Sequence, residues 1–153
     1  MLEEGDKAPD FTMSTDSDGE VSLADFKGHK LVLYFYPKDD TPGCTKQAIG
    51  FSEMIDDFEA AGARVLGVSK DTVTKHGKFR DKHDLRVGLA SDEEGAVIEA
   101  YGSWVEKSMY GKTYMGIDRS TFLIDGKGVV QKIWRKVRVP KHVEQVLAAV
   151  QEL

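Results

Sequence analysis

The chain has 153 residues, with 21 Lys and Arg against 26 Asp and Glu, a net charge of −5 and a hydrophobic fraction of 41%. That is the length and balance of one soluble globular domain spanning residues 1–153. An acidic chain lacks the electrostatic footprint of a nucleic-acid binder, and apolar runs such as Leu31 to Tyr36 fall far short of the ~20 residues that span a bilayer, so neither nucleic acid nor membrane is an expected partner.

In chain order, Phe11-Thr12-Met13, a turn at Ser17-Asp18-Gly19 and Glu20-Val21-Ser22-Leu23 predict an N-terminal β-hairpin. Leu31 to Tyr36 is a continuous apolar run, the mark of a strand buried on both faces, and Pro37 ends it. Ala48, Phe51, Ile55, Phe58 and Ala61 then follow helical spacing, closed by Gly62. Arg64 to Ser69 is a second buried strand. Asp71 or Thr72 caps a helix running to about Asp84 with Phe79 inward, and Val87 to Ala90 is a short strand. Ser91-Asp92-Glu93-Glu94 has the form of a capping box for a short helix through Ala100. The glycine- and aromatic-rich stretch Tyr101 to Gly116 reads as irregular. Ser120 to Ile124 and Val129 to Trp134 flank the turn Asp125-Gly126-Lys127-Gly128, and a last helix starts at Val139-Pro140 with Val143, Val146, Leu147 and Val150 on one face.

Strands that first alternate with helices and then close as a hairpin predict an α/β fold. Its mixed central sheet is flanked by helices, and the order matches the thioredoxin-like arrangement.

Cys44 is the lone cysteine. It can form neither an internal disulfide nor a Cys-rich zinc site. With an opening MLEEGDKAPD that resembles neither a signal nor a transit peptide, the expected compartment is the reducing cytoplasm. Thr41 is a good helix N-cap and Pro42 suits the first helical position, which puts Cys44 at the third. There the open N–H groups of the first turn and the helix dipole favour an anion, so the position favours a thiolate. Gly43 leaves room for a substrate beside the sulfur. A buried, inert cysteine is the usual fate of a lone thiol, but such cysteines prefer apolar helix faces and strands to a Thr-Pro-Gly turn.

Tyr36-Pro37-Lys38-Asp39-Asp40-Thr41-Pro42-Gly43-Cys44-Thr45 resembles the active-site motif of peroxiredoxins, in the form found in the bacterioferritin comigratory protein (PrxQ) subfamily. The resemblance runs from Gly5-Asp6-Lys7-Ala8-Pro9-Asp10-Phe11 to Arg119-Ser120-Thr121-Phe122-Leu123-Ile124-Asp125. It implies that Cys44 attacks a hydroperoxide and leaves as a sulfenate. It also implies that Thr41 hydrogen-bonds the sulfur and the peroxide, that Pro37 shields the site, and that Arg119 holds the thiolate and the developing charge. Thr41, Gly43 and Arg119 would bind substrate. Many PrxQ relatives carry a resolving cysteine five residues after the first, where this chain has Ile49. The sulfenate must therefore be resolved by an external thiol (thioredoxin, glutaredoxin, glutathione or another small thiol) or by Cys44 of a second molecule, and over-oxidation would compete when reductant is scarce. No cofactor is implied, and the expected assembly is a monomer or weak homodimer.

Other readings are weaker. Gly111-Lys112-Thr113 looks like the end of a phosphate-binding loop, but the earlier glycine is replaced by Glu106. His76 and His83 could share a helix face, more in keeping with a solvated face than with a metal, and His29 and His142 have no convincing partner, so no metal is expected. The run Lys132, Arg135, Lys136, Arg138 and Lys141 reads as a solvated face that could guide an acidic partner. Tyr101 and Trp104 read as substrate rim or core, and Gln47 as site-facing or surface. A cysteine hydrolase would need a histidine base beside Cys44. A thioredoxin-fold redox sensor or binding module would keep Cys44 oxidisable but slow.

Overall fold

A computed structural model describes residues 1–17 and 19–153. Among the described residues nine strands and five α-helices follow the order expected of alternating β and α segments. In chain order they are β1 Thr12–Thr15, β2 Glu20–Ser22, β3 Lys30–Phe35, α1 Pro42–Glu53, α2 Ile55–Ala60, β4 Ala63–Ser69, α3 Val73–His83, β5 Gly88–Ser91, α4 Ala96–Ala100, β6 Trp104–Met109, β7 Lys112–Ile117, β8 Ser120–Ile124, β9 Val130–Trp134 and α5 His142–Glu152. Seven strands form one sheet in the order β2-β1-β5-β4-β3-β8-β9. Strand β3 pairs in parallel with β4 and antiparallel with β8, so the sheet is mixed.

The apolar run in β3 divides by strand periodicity between two cores. Val32, Tyr34 and Tyr36 face a cluster with Phe51 of α1, Phe58 of α2, Phe79 of α3 and Val143, Val146 and Val150 of α5. Leu31, Leu33 and Phe35 face the other side with Ile98, Tyr101 and Phe122. Each fully buried side chain of this size contributes about 1.5–3 kcal/mol, which makes β3 the spine of the fold. Its C-terminal end delivers the chain into the loop before α1.

Several local expectations change. The helix after Thr41 is two helices, broken at Met54 (φ −101°, ψ 9°), and the break keeps Phe51 and Phe58 both buried with ring centroids 5.7 Å apart. Ser91 stays in β5, paired with Ser69, instead of capping α4. Asp92 serves that helix from outside, with Oδ2 accepting from Ile98 N at 2.8 Å, and α4 starts only at Ala96 after Gly95 turns left-handed. Tyr101 to Gly116 is largely ordered as the β6–β7 hairpin, turned at Tyr110-Gly111 with positive φ at both residues. That is the geometry a two-residue hairpin turn demands, and it accounts for Gly111-Lys112-Thr113. The last helix starts at His142, after Lys141 at φ 64°. The N-terminal hairpin is present, and Asp18 of its expected turn lies outside the described residues. Among the described residues no helix is long and apolar enough to cross a membrane.

Candidate active site

The loop from Pro37 to Thr41 is held by the buried Asp39. Its backbone N–H donates to Asp71 Oδ2 at 2.7 Å. Its carboxylate accepts from Tyr36 Oη at 2.5 Å and meets His76 Nδ1 at 2.6 Å. His76, from α3, is fully buried with Nε2 2.9 Å from the Ala90 carbonyl oxygen. The sequence reading of His76 as part of a solvated face is corrected here. Its solvated helix neighbours hide a residue whose partner lies 37 positions earlier in the chain. His83 does sit nearer the surface, and its ring, with Lys82, holds the exposed Asp40 carboxyl below the usual carboxylate range.

Pro37 lies on the exposed rim of this loop. Thr41 occupies the N-cap of α1 with extended backbone, and its carbonyl accepts the first helical bond, from Thr45 N at 2.9 Å. Its side chain makes no cap bond. The Thr41 hydroxyl donates to the Lys38 carbonyl at 2.8 Å, so its proton is not directed at the sulfur. The first-turn N–H groups of Gly43 and Cys44 thus have no side-chain cap.

Cys44 stands at the third helical position, 2% exposed, with its Sγ 3.3 Å from Arg119 Nη2. Arg119 precedes β8, and its Nη1 donates to Gln47 Oε1 at 2.7 Å. Gln47 lies one turn beyond Cys44 and is fully buried, so the site-facing alternative holds for it. Its Nε2 has no hydrogen-bond partner, nor has the hydroxyl of Tyr34, whose phenol burial pushes well above its ordinary range. The room beside Gly43 is filled by Arg119. A Cβ added at Gly43 would lie 3.1 Å from Nη2 and 3.9 Å from Val139 Cγ2.

Two further residues differ from expectation. His142 has a partner after all: its Nε2 is 2.8 Å from Thr121 Oγ1. Burial first, and then the nearby Arg119 charge, lower its pKa to about 4, so the ring is neutral near pH 7. Tyr101 is core, with its hydroxyl donating to the Pro9 carbonyl at 2.6 Å, and Trp104 is half-buried beneath Lys70. Ile49 is half-buried and packs against the helix-side core. Among the described residues no group of three or more His, Cys, Asp or Glu is placed to hold a metal.

The sequence profile of the AhpC/TSA family matches residues 4–133. The chain belongs to the AhpC/TSA family. Within this family the peroxiredoxin Bcp of Bacillus subtilis is 47% identical over 152 residues, covering 99% of this chain and 97% of that protein. A Coxiella burnetii protein named as a Bcp peroxiredoxin is 51% identical over 146 residues, covering 95% and 97%. The solved structure of the Xanthomonas campestris bacterioferritin comigratory protein, studied for its alkyl peroxide reduction, superposes with a TM-score of 0.89 at 42% identity. It covers 93% of this chain and 90% of that one. The thioredoxin-like fold and the PrxQ-type peroxiredoxin resemblance both hold.

Proposed function

We propose that this AhpC/TSA-family chain is a one-cysteine, thiol-dependent peroxidase acting as one domain. The observation that carries the reading is the Arg119 guanidinium 3.3 Å from its lone sulfur, at the third position of α1. O–O cleavage needs an in-line nucleophile without a proton and donors for the departing charge. The Cys44 thiolate attacks one oxygen of hydrogen peroxide or an organic hydroperoxide. An S–O bond forms and the O–O bond breaks. The other oxygen leaves with the electron pair and takes a proton, giving water or an alcohol and a Cys44 sulfenic acid.

Arg119 is charged at all working pH values and donates to the reacting atoms. Thr41 Oγ1, its proton committed to Lys38, keeps lone pairs that accept the peroxide O–H. The uncapped N–H groups of Gly43 and Cys44 supply further donors. Pro37 covers the outer side of the loop. Gln47 is a positioning residue: it fixes the second arm of the guanidinium fork. A second cysteine is absent, so an external thiol (thioredoxin, glutaredoxin or a small thiol) reduces the sulfenate. The cytoplasm keeps such thiols reduced.

Arg119→Ala tests this reading, because removing one donor aimed at developing charge costs about 10²–10³ in rate. Peroxide consumption by Arg119→Ala should fall by that factor, and Cys44→Ser should show none. An Arg119→Ala protein with the unaltered rate would overturn it.

A further inference from the structure

The chain is acidic overall, yet from Gly126 to Val143 it contains no Asp or Glu and six Lys or Arg. Part of that segment runs over the site. Val137 N donates to the Arg119 carbonyl at 2.9 Å, and Val139 Cγ2 lies 3.9 Å from the Cβ position at Gly43. Beside it opens a cleft of about 430 Å³ whose lining includes Trp134, Arg135, Lys136, Arg138, His142 and Gln145, with no acidic side chain among its residues. The cations there are not neutralised. Arg135 donates to the carbonyls of Gly102 and Tyr101. Lys136 and Arg138 are exposed and take part in none of the ion pairs among the described residues. The adjacent carboxylates are turned to backbone: Asp118 Oδ2 accepts from Lys136 N and Glu4 Oε2 from Ile133 N. His142 is held neutral, and Arg135, Lys136 and Arg138 are the charged side chains that line the cleft.

We propose that this cleft binds the carboxylates of the low-molecular-weight thiol that reduces the Cys44 sulfenate, a peptide-sized thiol carrying two or more negative groups. The inference rests on the one-cysteine peroxidase reading and names the reductant class. The volume is that of a small-ligand pocket rather than of a protein interface. Carboxylates seated on Lys136 and Arg138 gain charge-assisted hydrogen bonds, and the field of the cleft concentrates anions beside the loop that carries the sulfur. The thiol sulfur attacks the Cys44 sulfur. An S–S bond forms and the S–O bond breaks, and the hydroxyl leaves as water with the thiol's proton. In this step one electron's worth of reduction passes to the Cys44 sulfur, and the two-electron reduction is completed by a second equivalent of thiol. A second thiol then attacks the mixed disulfide, releasing the small-molecule disulfide and the free Cys44.

The test oxidises the full chain with one equivalent of hydrogen peroxide and follows reduction of the sulfenate by glutathione and by its diethyl ester, with rates compared per thiolate. Glutathione should be faster by about tenfold, as expected for steering by a cationic cleft, and the advantage should shrink as salt is raised. In Lys136→Gln/Arg138→Gln the advantage should vanish. In Lys127→Gln, at the turn between β8 and β9, it should persist. Equal rates for acid and ester in the unaltered chain would overturn the proposal, as would an advantage that survives in the double variant. So would reduction by thioredoxin alone with no reaction toward either small thiol. Failure of Cys44 to gain an oxygen in the first step would instead overturn the peroxidase reading itself, so the two failures are distinguishable.

Discussion

The guanidinium of Arg119 occupies the space that a side chain at Gly43 would need, with Nη2 3.1 Å from the Cβ position there. The glycine one residue before Cys44 is therefore what lets the arginine come within 3.3 Å of the sulfur. Alanine at position 43 would push the far end of a flexible side chain, which costs the fold little. Alanine is favoured over glycine in a helix by up to ~1 kcal/mol. Gly43→Ala should accordingly unfold at the same or a higher denaturant concentration. Displacing a catalytic donor by a fraction of an ångström should slow oxidation of Cys44 by about 10–100-fold. Urea unfolding and stopped-flow oxidation of the same preparation separate the two effects. A variant with both stability and rate unchanged would mean that the Arg119 position does not limit the reaction.

Asp39 joins the site loop to α3 through His76, and to the end of β3 through Tyr36, the residue that follows it. Asp39→Ala strands two buried donors, the Tyr36 hydroxyl and the His76 ring N–H. Leaving a buried donor unpaired costs about 1–3 kcal/mol each, so the loss of stability should be about 2–6 kcal/mol. Because the loop ends at Thr41, peroxide oxidation should slow as well. Chemical denaturation measures the first effect, and a change below about 0.5 kcal/mol, the size of an ordinary surface substitution, would contradict it.

The acid limb of stability should contain a contribution from His142. Its folded pKa, lowered by burial and then by Arg119, is about 4 against 6.5 for the free side chain. Between these values the unfolded chain binds the proton and the folded chain does not. The contribution is thus complete above pH 6.5 and is lost as pH falls toward 4, by roughly 3 kcal/mol over the window. His142→Gln, which can still bond Thr121 Oγ1, should flatten that limb between pH 6.5 and 4. An unchanged slope in unfolding titrations would show that His142 is protonated alike in both states.

The central strands and the site position were legible in the sequence because their causes are local. The six-residue apolar run in β3 has only one stable use, and Thr41-Pro42 marks a helix start whatever surrounds it. The β6–β7 hairpin leaves no periodic signal in the sequence, because Glu106, Ser108, Met109 and Tyr110 to Met115 are all exposed. Strand periodicity arises only where one face is buried. Its signal was the Tyr-Gly pair that takes two positive φ angles. The roles of His76 and His142 are not legible locally, because their partners, Asp39 and Thr121, come from distant segments. The same holds for Gln47, whose partner, Arg119, lies 72 residues away.

Cys44, 2% exposed, admits a small peroxide more readily than a thiol carrying its own side chains. Reduction of the sulfenate should therefore involve opening of the loop and the first turns of α1. Hydrogen exchange at residues 41–50 should quicken after oxidation of Cys44, while β3 and β4 stay protected. Identical exchange before and after oxidation would show that the thiol reaches the sulfur in the closed state.

The most direct measurement is intact mass over seconds after one equivalent of hydrogen peroxide, with and without an added thiol. Rapid gain of a single oxygen on Cys44, reversed by the thiol, is the expected result. No mass change over many minutes would mean that the Cys44 thiol is not activated, and would contradict a peroxidase built on Cys44 and Arg119.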